Sequence, residues 1–411
     1  MDWQAFGFKD DPLNTSPIIK STLALFTGHR DDVSVCTNVL KGNNVRIVVE
    51  GARGVGTTSF SNYLRFGAES QKLYFTPRIE IKVEKGWRSE TLLAAIVSNC
   101  VREMALRTEF DKLIRDKRFQ SAKAISSRIA EAYRSFGVDA FGFGANYGKQ
   151  AGIVTQPLLV PSPVLGHHLE DLISLATDAG YKKGMLFQIN NLDIGEIHST
   201  EEIKYLFNAL RDYTQMEGSN WLFVGDVGLR RFIAQEVDRL DDIISYEVNI
   251  HPLPLAALSE MIEKRIKFYG ESEKAELPIN QDVFRYLYKI TAGRLRYVFG
   301  LASRLMNRLY IGDLMDKVTV TIAKPMLMKL GRDRVQRADL ASIEEQALKL
   351  LVAMPQATPA TMARKLKKTA QYTGRVLSSL VDKGMACSKK EKKERIYIPS
   401  IDAIIAFTEI A

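Results

Sequence analysis

Residues 45–64 read VRIVVEGARGVGTTSFSNYL. A β-branched run, a glycine-rich turn and a segment with helical spacing follow one another there, and this order predicts strand, loop and helix. Within it, residues 51–58 (GARGVGTT) have the spacing of the phosphate-binding loop G-x-x-x-x-G-K-[ST]. Glycines in such a loop let backbone N–H groups converge on phosphate oxygens at a helix N-terminus, where the helix dipole favours negative charge. The flanking strand and helix favour a true phosphate loop over an unrelated glycine turn.

One position of this loop departs from the pattern. Thr57 stands where a lysine would neutralise the β- and γ-phosphates, whereas Thr58 keeps the hydroxyl that would contact Mg²⁺. Thr58 is therefore the candidate Mg²⁺ ligand, and a weak one. The loop residues that we expect to contact a nucleotide are Gly51, Gly54, Val55, Gly56, Thr57, Thr58 and Ser59.

A second apolar strand, MLFQINNLD at residues 185–193, carries Asn190 and Asn191 where acidic residues would be expected. Asparagine cannot act as a general base, and its neutral amide oxygen holds Mg²⁺ more weakly than a carboxylate does. We therefore assign no catalytic residue. Asp193, two residues further on, is either a contributor to a metal site or the N-cap of the next helix, and the pattern favours the cap.

Strand-like and helical segments alternate through this part of the chain. Residues 72–83 predict a strand pair, and residues 184–193 and 220–226 predict further strands. The alternation predicts an α/β fold with a parallel sheet covered on both faces. The glycine- and aromatic-rich stretch 136–148 is expected to form a hairpin or loop. The predicted helices cover residues 89–107 and 112–134, a segment ending near 180, and residues 199–216.

After residue 251 the sequence becomes helical in character, with apolar residues at three- and four-residue intervals, which predicts a helical lid. Residues 331–340 (GRDRVQRADL) are charged and lack apolar periodicity, so a linker is expected there. The remaining residues predict three short helices and a charged hairpin, the order of a winged helix-turn-helix. The predicted domains are an N-terminal arm (1–20), an α/β core (21–250), a helical lid (251–330), the linker (331–340) and a winged helix-turn-helix domain (341–411).

The chain of 411 residues, with 46% apolar and 26% charged side chains, has the composition of a globular protein of two or three domains. No apolar run is long enough for a membrane span, and the start, MDWQAFGFKDD, lacks the features of a secretory signal. Three widely spaced cysteines and five histidines without metal-site spacing argue against a disulfide scaffold or a zinc site. A cytoplasmic protein that does not contact a membrane is the expectation.

The net charge of +9 is concentrated near the C-terminus. Residues 361–400 hold eleven Lys or Arg residues against three acidic ones. A local positive potential of this kind attracts polyanions, so double-stranded DNA is the leading candidate partner. The alternatives are a winged helix that contacts protein and a lysine-rich hairpin that is only a soluble turn.

In a helix-turn-helix motif the second helix enters the major groove, and residues 369–384 (TAQYTGRVLSSLVDKG) would form that helix. Arg375 and Gln371 are suited to base edges, whereas lysines act mainly on phosphates. The outward side chains are predicted to be Gln371, Tyr372, Thr373, Arg375 and Ser378, with Leu377, Leu380 and Val381 facing the core. The predicted DNA contacts are Arg364, Lys365, Lys367, Lys368, Gln371, Arg375, Lys389, Lys390, Lys392, Lys393 and Arg395.

The order of these motifs resembles the AAA+ ATPases of the origin-recognition initiator and STAND clade, many prokaryotic members of which end in a winged helix. GARGVGTT resembles their Walker A loop, MLFQINNLD their Walker B strand, and WLFVGD their sensor 1 strand with Asp226 at the polar position. LFTGHRDDV resembles their Phe-x-Gly-Arg box, which places Arg30 at the nucleotide. TAGRLRYV resembles their sensor 2 element, which places Arg296 at the γ-phosphate.

The resemblance implies ATP or ADP as a ligand, with Mg²⁺, and a homo-oligomer or a protein partner. In such an oligomer Arg230 and Arg231 would act in trans as arginine fingers, unless they belong to a solvated helix face, which is the simpler interpretation for either residue alone.

Thr57, Asn190 and Asn191 replace the lysine and the acidic residues that carry out hydrolysis in an active ATPase. The expected function is therefore a DNA-binding, AAA+-related assembly or adaptor protein. It would hold nucleotide as a structural or regulatory ligand and hydrolyse it weakly or not at all. One alternative is an active ATPase in which another base replaces Asn191 and Lys41, Arg46 or Arg53 supplies the missing charge. The other is a protein-interaction scaffold that uses the winged helix; a plain transcription regulator would not need the large core.

Overall fold

The computed structural model describes residues 1–135, 160–194, 198–309, 317–391 and 394–407. The chain divides into two units, which are described separately: the sheet unit, Pro17–His251, and the helical unit, Met1–Ser16 with Pro252–Ala411. The predicted hairpin or loop at 136–148 lies outside the described residues. Within the described ranges, no helix is long and apolar enough to cross a membrane.

A five-stranded sheet forms the centre of the sheet unit. Its strands are β1 (Arg46–Gly51), β2 (Ile81–Lys82), β3 (Met185–Asn190), β4 (Ser219–Gly225) and β5 (Tyr246–Ile250). They lie in the order β2-β3-β4-β1-β5, and every pairing is parallel. The predicted parallel sheet is confirmed, and the phosphate loop leaves its carboxyl edge, where ligands of such sheets bind.

Helices cover both faces of this sheet. Val48 packs into one core, whereas Ile47 and Val49, its neighbours on β1, pack into the other. Strands β3 and β4 are buried along their whole length, which is why they read as apolar runs and not as alternating patterns. The helices of this unit are α1 (Arg30–Val39), α2 (Thr57–Ser70), α3 (Ser89–Ala105), α4 (Lys117–Ser135), α5 (Ser162–Asp178), α6 (Thr200–Thr214), α7 (Leu229–Glu236) and α8 (Asp238–Asp241).

The stretch 72–83 forms much less strand than predicted. It contributes only the two residues of β2 and a single parallel bridge from Phe75 to β3. The carbonyl oxygens of Pro77 and Arg78 accept hydrogen bonds from the buried guanidinium of Arg65 and not from a neighbouring strand. Pro77 has no N–H to donate to a strand ladder, and Arg65 supplies the donors for the two carbonyl oxygens in place of a neighbouring strand.

The helical unit contains a first group of helices and a C-terminal group built on an antiparallel hairpin. The first group is α9 (Leu255–Tyr269), α10 (Gln281–Ile290), α11 (Leu295–Leu309) and α12 (Val320–Arg337). The C-terminal group is α13 (Ser342–Ala353), α14 (Pro359–Leu366), α15 (Ala370–Asp382), β6 (Ala386–Glu391), β7 (Glu394–Pro399) and α16 (Ile401–Phe407). Its first five elements have the order that we predicted for a winged helix-turn-helix, and α16 is an addition.

Most of the stretch 331–340, where a linker was expected, is the last part of α12. This helix packs along α16, and a Cβ at Gly331 would lie 2.7 Å from the nitrogen of Ala406 and 2.8 Å from the carbonyl oxygen of Asp402. Val335, one turn further on, is buried in the core of the C-terminal group. The contact depends on a small residue and not on apolar periodicity, so the sequence pattern did not indicate a packed helix.

The N-terminal arm is an integral part of the helical unit. Phe8 is fully buried, and the N–H of Lys9 donates to the carbonyl oxygen of Tyr269 at 2.8 Å. The guanidinium of Arg265, on α9, donates to the carbonyl oxygen of Asn14 at 2.8 Å. These contacts hold the arm against the C-terminal end of α9.

Candidate nucleotide site and candidate DNA-binding face

The phosphate loop has the backbone that anion binding requires. Gly54 and Gly56 have φ angles of 93° and 115°, in the left-handed region that favours glycine. Gly56 is the N-cap of α2, and no side chain among the described residues caps this helix. The first N–H groups of α2 therefore remain available to an anion at the positive end of the helix dipole. The buried side chain of Val55 anchors the loop.

Gly51 and Thr57 pack tightly at the base of the loop. A Cβ at Gly51 would lie 2.6 Å from the carbonyl oxygen of Ile250 and 2.9 Å from Cγ2 of Thr57, so glycine alone fits beside β5 here. Thr57 brings a methyl group and a hydroxyl, and no charge, to the position of the motif lysine. The hydroxyl of Ser59 accepts a hydrogen bond from the N–H of Ile18 at 3.1 Å. Its role as a nucleotide contact stays a prediction.

The structure brings the two halves of the predicted site together through hydrogen bonds between neutral side chains. Nδ2 of Asn190 donates to Oγ1 of Thr58 at 3.5 Å, and Nε2 of Gln188 donates to Oδ1 of Asn190 at 3.0 Å. Oε1 of Gln188 is buried and has no hydrogen-bond partner in the described part of the chain. Sequence reasoning missed Gln188, although a polar residue inside an apolar strand was the available signal.

These residues do not fit a conventional Mg²⁺ site. The amide nitrogen of Asn190 faces Thr58, and an N–H group offers a metal no lone pair. Its oxygen is already engaged by Gln188. Among the described residues, no group of three or more His, Cys, Asp or Glu side chains lies close enough to hold a metal ion. A hydroxyl and a neutral amide alone are poor ligands for an ion that gives up its water reluctantly.

Two carboxylates follow β3 and β4 at the same edge of the sheet. The N–H of Asp226 donates a hydrogen bond to the carboxylate of Asp193. Burial raises the pKa of Asp193 and the charge of Asp226 adds to this rise, whereas Arg53 opposes it. Asp193 is not the N-cap of α6, because Ser199 holds that position and forms a capping box with Glu202. Asp193 instead faces Asp226, in electrostatic contact with the phosphate loop through Arg53.

The segment before α1 packs beside the phosphate loop on α2. The ring of Phe26 stacks on that of Tyr63 with 4.1 Å between the centroids. Arg30 is exposed at the first position of α1. Arg296 is exposed in the first turn of α11, which belongs to the other unit. Contact of either arginine with a nucleotide stays a prediction.

Two of the three cations considered as substitutes for the lysine lie at the wrong end of β1. Nε of Arg46, the first residue of β1, donates to the carbonyl oxygen of Thr214 at 2.8 Å. The ammonium of Lys41, in the turn before β1, donates to the side chain of Asn38 at 3.0 Å. The phosphate loop begins at the opposite end of the strand. Of the three, only Arg53, which is in the loop itself, is placed to add charge there.

Arg230 is engaged within its own chain. Its guanidinium forms ion pairs with Asp241 and Glu247, and its N–H donates to the carboxylate of Glu50 at 3.0 Å. Arg231 is exposed, and its Nε donates to a side chain of the same helix at 3.3 Å. This arrangement matches the simpler interpretation, a helix face, for Arg230.

Exposed basic residues lie on helices α14 and α15, on the turn between them and on the hairpin of the C-terminal group. Helix α14 begins at the cap Thr358 and ends at Lys367, whose φ of 52° turns the chain toward α15. Thr369 caps α15 through the N–H of Tyr372 at 3.3 Å. Lys390 and Arg395 are paired residues of the hairpin. Predicted contacts that are exposed are Arg364, Lys365, Lys367, Lys368, Gln371, Arg375, Lys389 and Arg395, and Lys392 and Lys393 lie outside the described residues.

Two of the predicted outward side chains of α15 do not face solvent. Thr373 is fully buried, and within the described chain its hydroxyl has no hydrogen-bond partner. Ser378 is half-buried, with its hydroxyl 3.2 Å from that of Tyr397. The helix places Thr373 one turn before the buried Leu377, so both lie on the core-facing side. Gln371, Tyr372 and Arg375 form the outward side.

No protein-family model matches the chain, and no curated protein matches it. Solved structures do resemble it. The ORC2 protein of Aeropyrum pernix in its ADPNP–ADP complexes is 13% identical in sequence to this chain. The alignment covers 97% of each of the two chains, and the TM-score is 0.51. The ADP form of the same protein gives 11% identity, coverage of 97% and 96%, and a TM-score of 0.48. A Walker-type ATPase of Pyrococcus abyssi gives 13% identity, coverage of 96% and 99%, and a TM-score of 0.47.

The likeness to the ADPNP–ADP structure concerns the fold alone. It spans nearly the whole of both chains, including the parallel sheet with its phosphate loop and the helices that follow. The predicted fold class is therefore confirmed: the chain is an α/β protein with a parallel-sheet core, and its fold is similar to that of the ORC2 protein.

Proposed function

We propose that this protein is a DNA-binding, AAA+-related assembly or adaptor protein. Its phosphate loop holds ATP or ADP as a structural or regulatory ligand, and hydrolysis is weak or absent. The observation that carries the proposal is the exposed basic face, in which cations of α14, the turn and α15 are presented together on a helix-turn-helix. We also propose the predicted division into arm, core, lid and winged helix-turn-helix.

The arrangement of the basic face supports contact with duplex DNA. Arg375 and Gln371 lie on the outward side of α15, the helix that would enter the major groove, where arginine and glutamine can read base edges. Lys365 and Lys368 flank that helix and are suited to phosphates. Affinity would then come mainly from phosphate contacts and fall steeply with salt.

The phosphate loop supports the nucleotide part of the proposal. The loop keeps the left-handed glycines and the uncapped helix of a phosphate site, and the ORC2 protein that it resembles was solved with ADPNP and ADP. Thr57, Asn190 and Asn191 leave the site without the lysine, the metal-binding carboxylate and the base of an ATPase. Losing such a group typically costs a factor of roughly a hundred or more in rate.

A further part of the proposal is assembly, either with copies of this chain or with a protein partner. It rests on the resemblance of the sequence motifs to AAA+ ATPases. The ion pairs of Arg230 argue that this residue does not serve as an arginine finger in such an assembly. Arg231 is the better candidate of the two.

Duplex binding can be tested with a charge-matched pair of variants. Replacing Lys365, Lys368 and Arg375 by Ala should weaken binding of a fluorescent duplex about tenfold or more and flatten the salt dependence by about 0.9 in log–log slope for each phosphate that is no longer neutralised. The control replaces Lys267, Lys274 and Lys289, which are also exposed in the helical unit, and should bind as the unaltered protein does. Equally weakened binding in both variants, or no duplex binding at low salt, would contradict the proposal and favour a protein-interaction scaffold.

A further inference from the structure

Neutral groups occupy the place where a nucleotide-bound metal would be held. Gln188 and Asn190 are 2% and 3% exposed, and together with Thr58 they form one hydrogen-bonded row. Neither an amide nor a hydroxyl carries a charge to offset the dehydration of Mg²⁺. This holds for either orientation of the two amides. The phosphate loop itself, in contrast, needs no metal to offer its N–H groups to an anion.

Negative charge lies at the same edge, across from the loop. The segments leaving β3 and β4 are held together, since the N–H of Leu192 donates to the carbonyl oxygen of Val224 at 3.2 Å. A Cβ at Gly225 would lie 2.5 Å from the carbonyl oxygen of Leu192. This close approach sets Asp193 beside Asp226, whose N–H donates to its carboxylate.

The order of the strands directs these carboxylates toward the loop. β4 lies between β3 and β1, and parallel strands end at one edge, so the residues after β3, β4 and β1 surround one crevice. A nucleotide whose β-phosphate rests on the amides of residues 54–58 would extend its third phosphate into this crevice. There the additional negative charge would meet Asp193 and Asp226. Thr57 brings no positive charge to balance it, and the described residues contain no group of three or more His, Cys, Asp or Glu side chains that could hold a metal ion.

We propose that the phosphate loop binds a nucleoside diphosphate without a divalent cation, and that Asp193 and Asp226 discriminate against the triphosphate. This inference rests on the proposed function, in which a nucleotide occupies the loop. The inference adds two statements to the proposed function: the bound nucleotide is a diphosphate, and its binding does not require Mg²⁺. The positive charge of Arg53 interacts favourably with Asp193 and so limits the repulsion.

Calorimetric titration of the full-length chain with ADP and with ATP, each in EDTA and in MgCl₂, tests the inference. We expect the dissociation constant for ADP to change less than about twofold with Mg²⁺, and ATP to bind about tenfold more weakly than ADP in EDTA. Binding of ADP that requires Mg²⁺, or ATP binding as tightly as ADP in EDTA, overturns the inference and leaves the proposed function standing. No binding of either nucleotide overturns both the inference and the nucleotide part of the proposed function.

Substitutions identify the groups responsible. The double variant Asp193→Asn, Asp226→Asn keeps side-chain acceptors but removes both charges, so the tenfold preference for ADP should shrink below about threefold. Asp111→Asn, at an exposed position after α3, is the matched control and should keep the preference of the unaltered protein. An unchanged preference in the double variant, with thermal unfolding showing a folded protein, overturns the role of the two carboxylates.

A gain of metal dependence provides the complementary test. Asn190→Asp puts a carboxylate beside Thr58, so Mg²⁺ should strengthen ATP binding to this variant about tenfold while leaving the unaltered protein unaffected. If Mg²⁺ strengthens ATP binding equally in both proteins, the metal is held by other groups and the inference fails.

Discussion

At the scale of single residues, the phosphate loop and the strand beside it show that a motif can keep its shape and lose its charges. Gly54 and Gly56 keep the left-handed backbone, whereas Thr57 and Asn190 put neutral groups where cation and carboxylate would act. Asn191 has a φ of 63°, a conformation that Asn and Asp tolerate and most other residues avoid. The shape of the loop is therefore separable from its chemistry.

Because the loop keeps its backbone shape and lacks only the charged groups, we expect that substitutions restoring these groups will introduce ATP hydrolysis. The triple variant Thr57→Lys, Asn190→Asp, Asn191→Asp adds a cation, a metal ligand and a base, with Asp chosen for the left-handed position. We expect phosphate release in Mg²⁺ and ATP to rise about tenfold or more above that of the unaltered protein.

The control for this experiment is Thr58→Ala in the same triple background, which should return phosphate release to the starting level. Rapid phosphate release by the unaltered protein would contradict the prediction and support a rearranged ATPase. Arg53 would then be the cation to examine first, because Arg46 and Lys41 lie at the other end of β1.

Sequence reasoning at the residue scale succeeded where a motif fixes the backbone and failed where partners are distant in the chain. The glycine spacing of residues 51–58 was sufficient to predict the loop. The hydrogen bond from Asn190 to Thr58 joins residues 132 positions apart, and no local pattern encodes it. The cap at Thr369 sets the phase of α15, and this phase buries Thr373.

At the scale of elements, the contact between α12 and α16 is what connects the C-terminal group to the rest of the helical unit. Gly331 allows the close approach, and Arg304 on α11 adds an ion pair to Asp402 at 2.8 Å. Apolar patterning predicted β1, β3 and β4 of the sheet and the helices α13 to α15 because those elements bury apolar faces. It did not predict α12 beyond residue 331, where a glycine and not an apolar side chain makes the contact.

A matched pair of glycine substitutions tests this contact. Gly331→Ala would put a Cβ 2.7 Å from the nitrogen of Ala406, so we expect the free energy of unfolding of the helical unit to fall by about 1–3 kcal/mol. Gly300→Ala, on α11, would have its nearest neighbour 3.9 Å away and should be neutral or stabilising by up to about 1 kcal/mol. Urea unfolding followed by circular dichroism measures both, and equal effects would show that α12 and α16 are not closely packed.

At the scale of the whole molecule, the chain starts in the helical unit, forms the sheet unit, and then returns. Residues 1–16 belong with residues 252–411, and residues 17–251 form the unit between them. The division predicted from composition and motif order does not include this return, because the arm is too short to show a pattern of its own. Its position depends on backbone hydrogen bonds to α9 and on the burial of Phe8.

Because Phe8 is fully buried, we expect its replacement by a smaller residue to lower the free energy of unfolding strongly. Phe8→Ala should lower the free energy of unfolding of the helical unit by about 3–5 kcal/mol, because it removes a fully buried aromatic ring. Phe6→Ala, at a half-buried neighbour, should cost clearly less. Differential scanning calorimetry of both variants provides the comparison, and equal destabilisation would mean that the arm is not anchored by Phe8.

The returning chain also has a consequence during synthesis. The arm is translated before the sheet unit, whereas its partner α9 follows the entire sheet unit. At about 5–20 residues per second, on the order of ten seconds or more pass between the synthesis of the arm and that of α9. Throughout that interval α9 is not available to the arm, and β5, the last strand of the sheet unit, is translated only shortly before α9. The nascent helical unit therefore depends on an aromatic segment, residues 3–8, that must stay unaggregated until residues 255–269 have been translated.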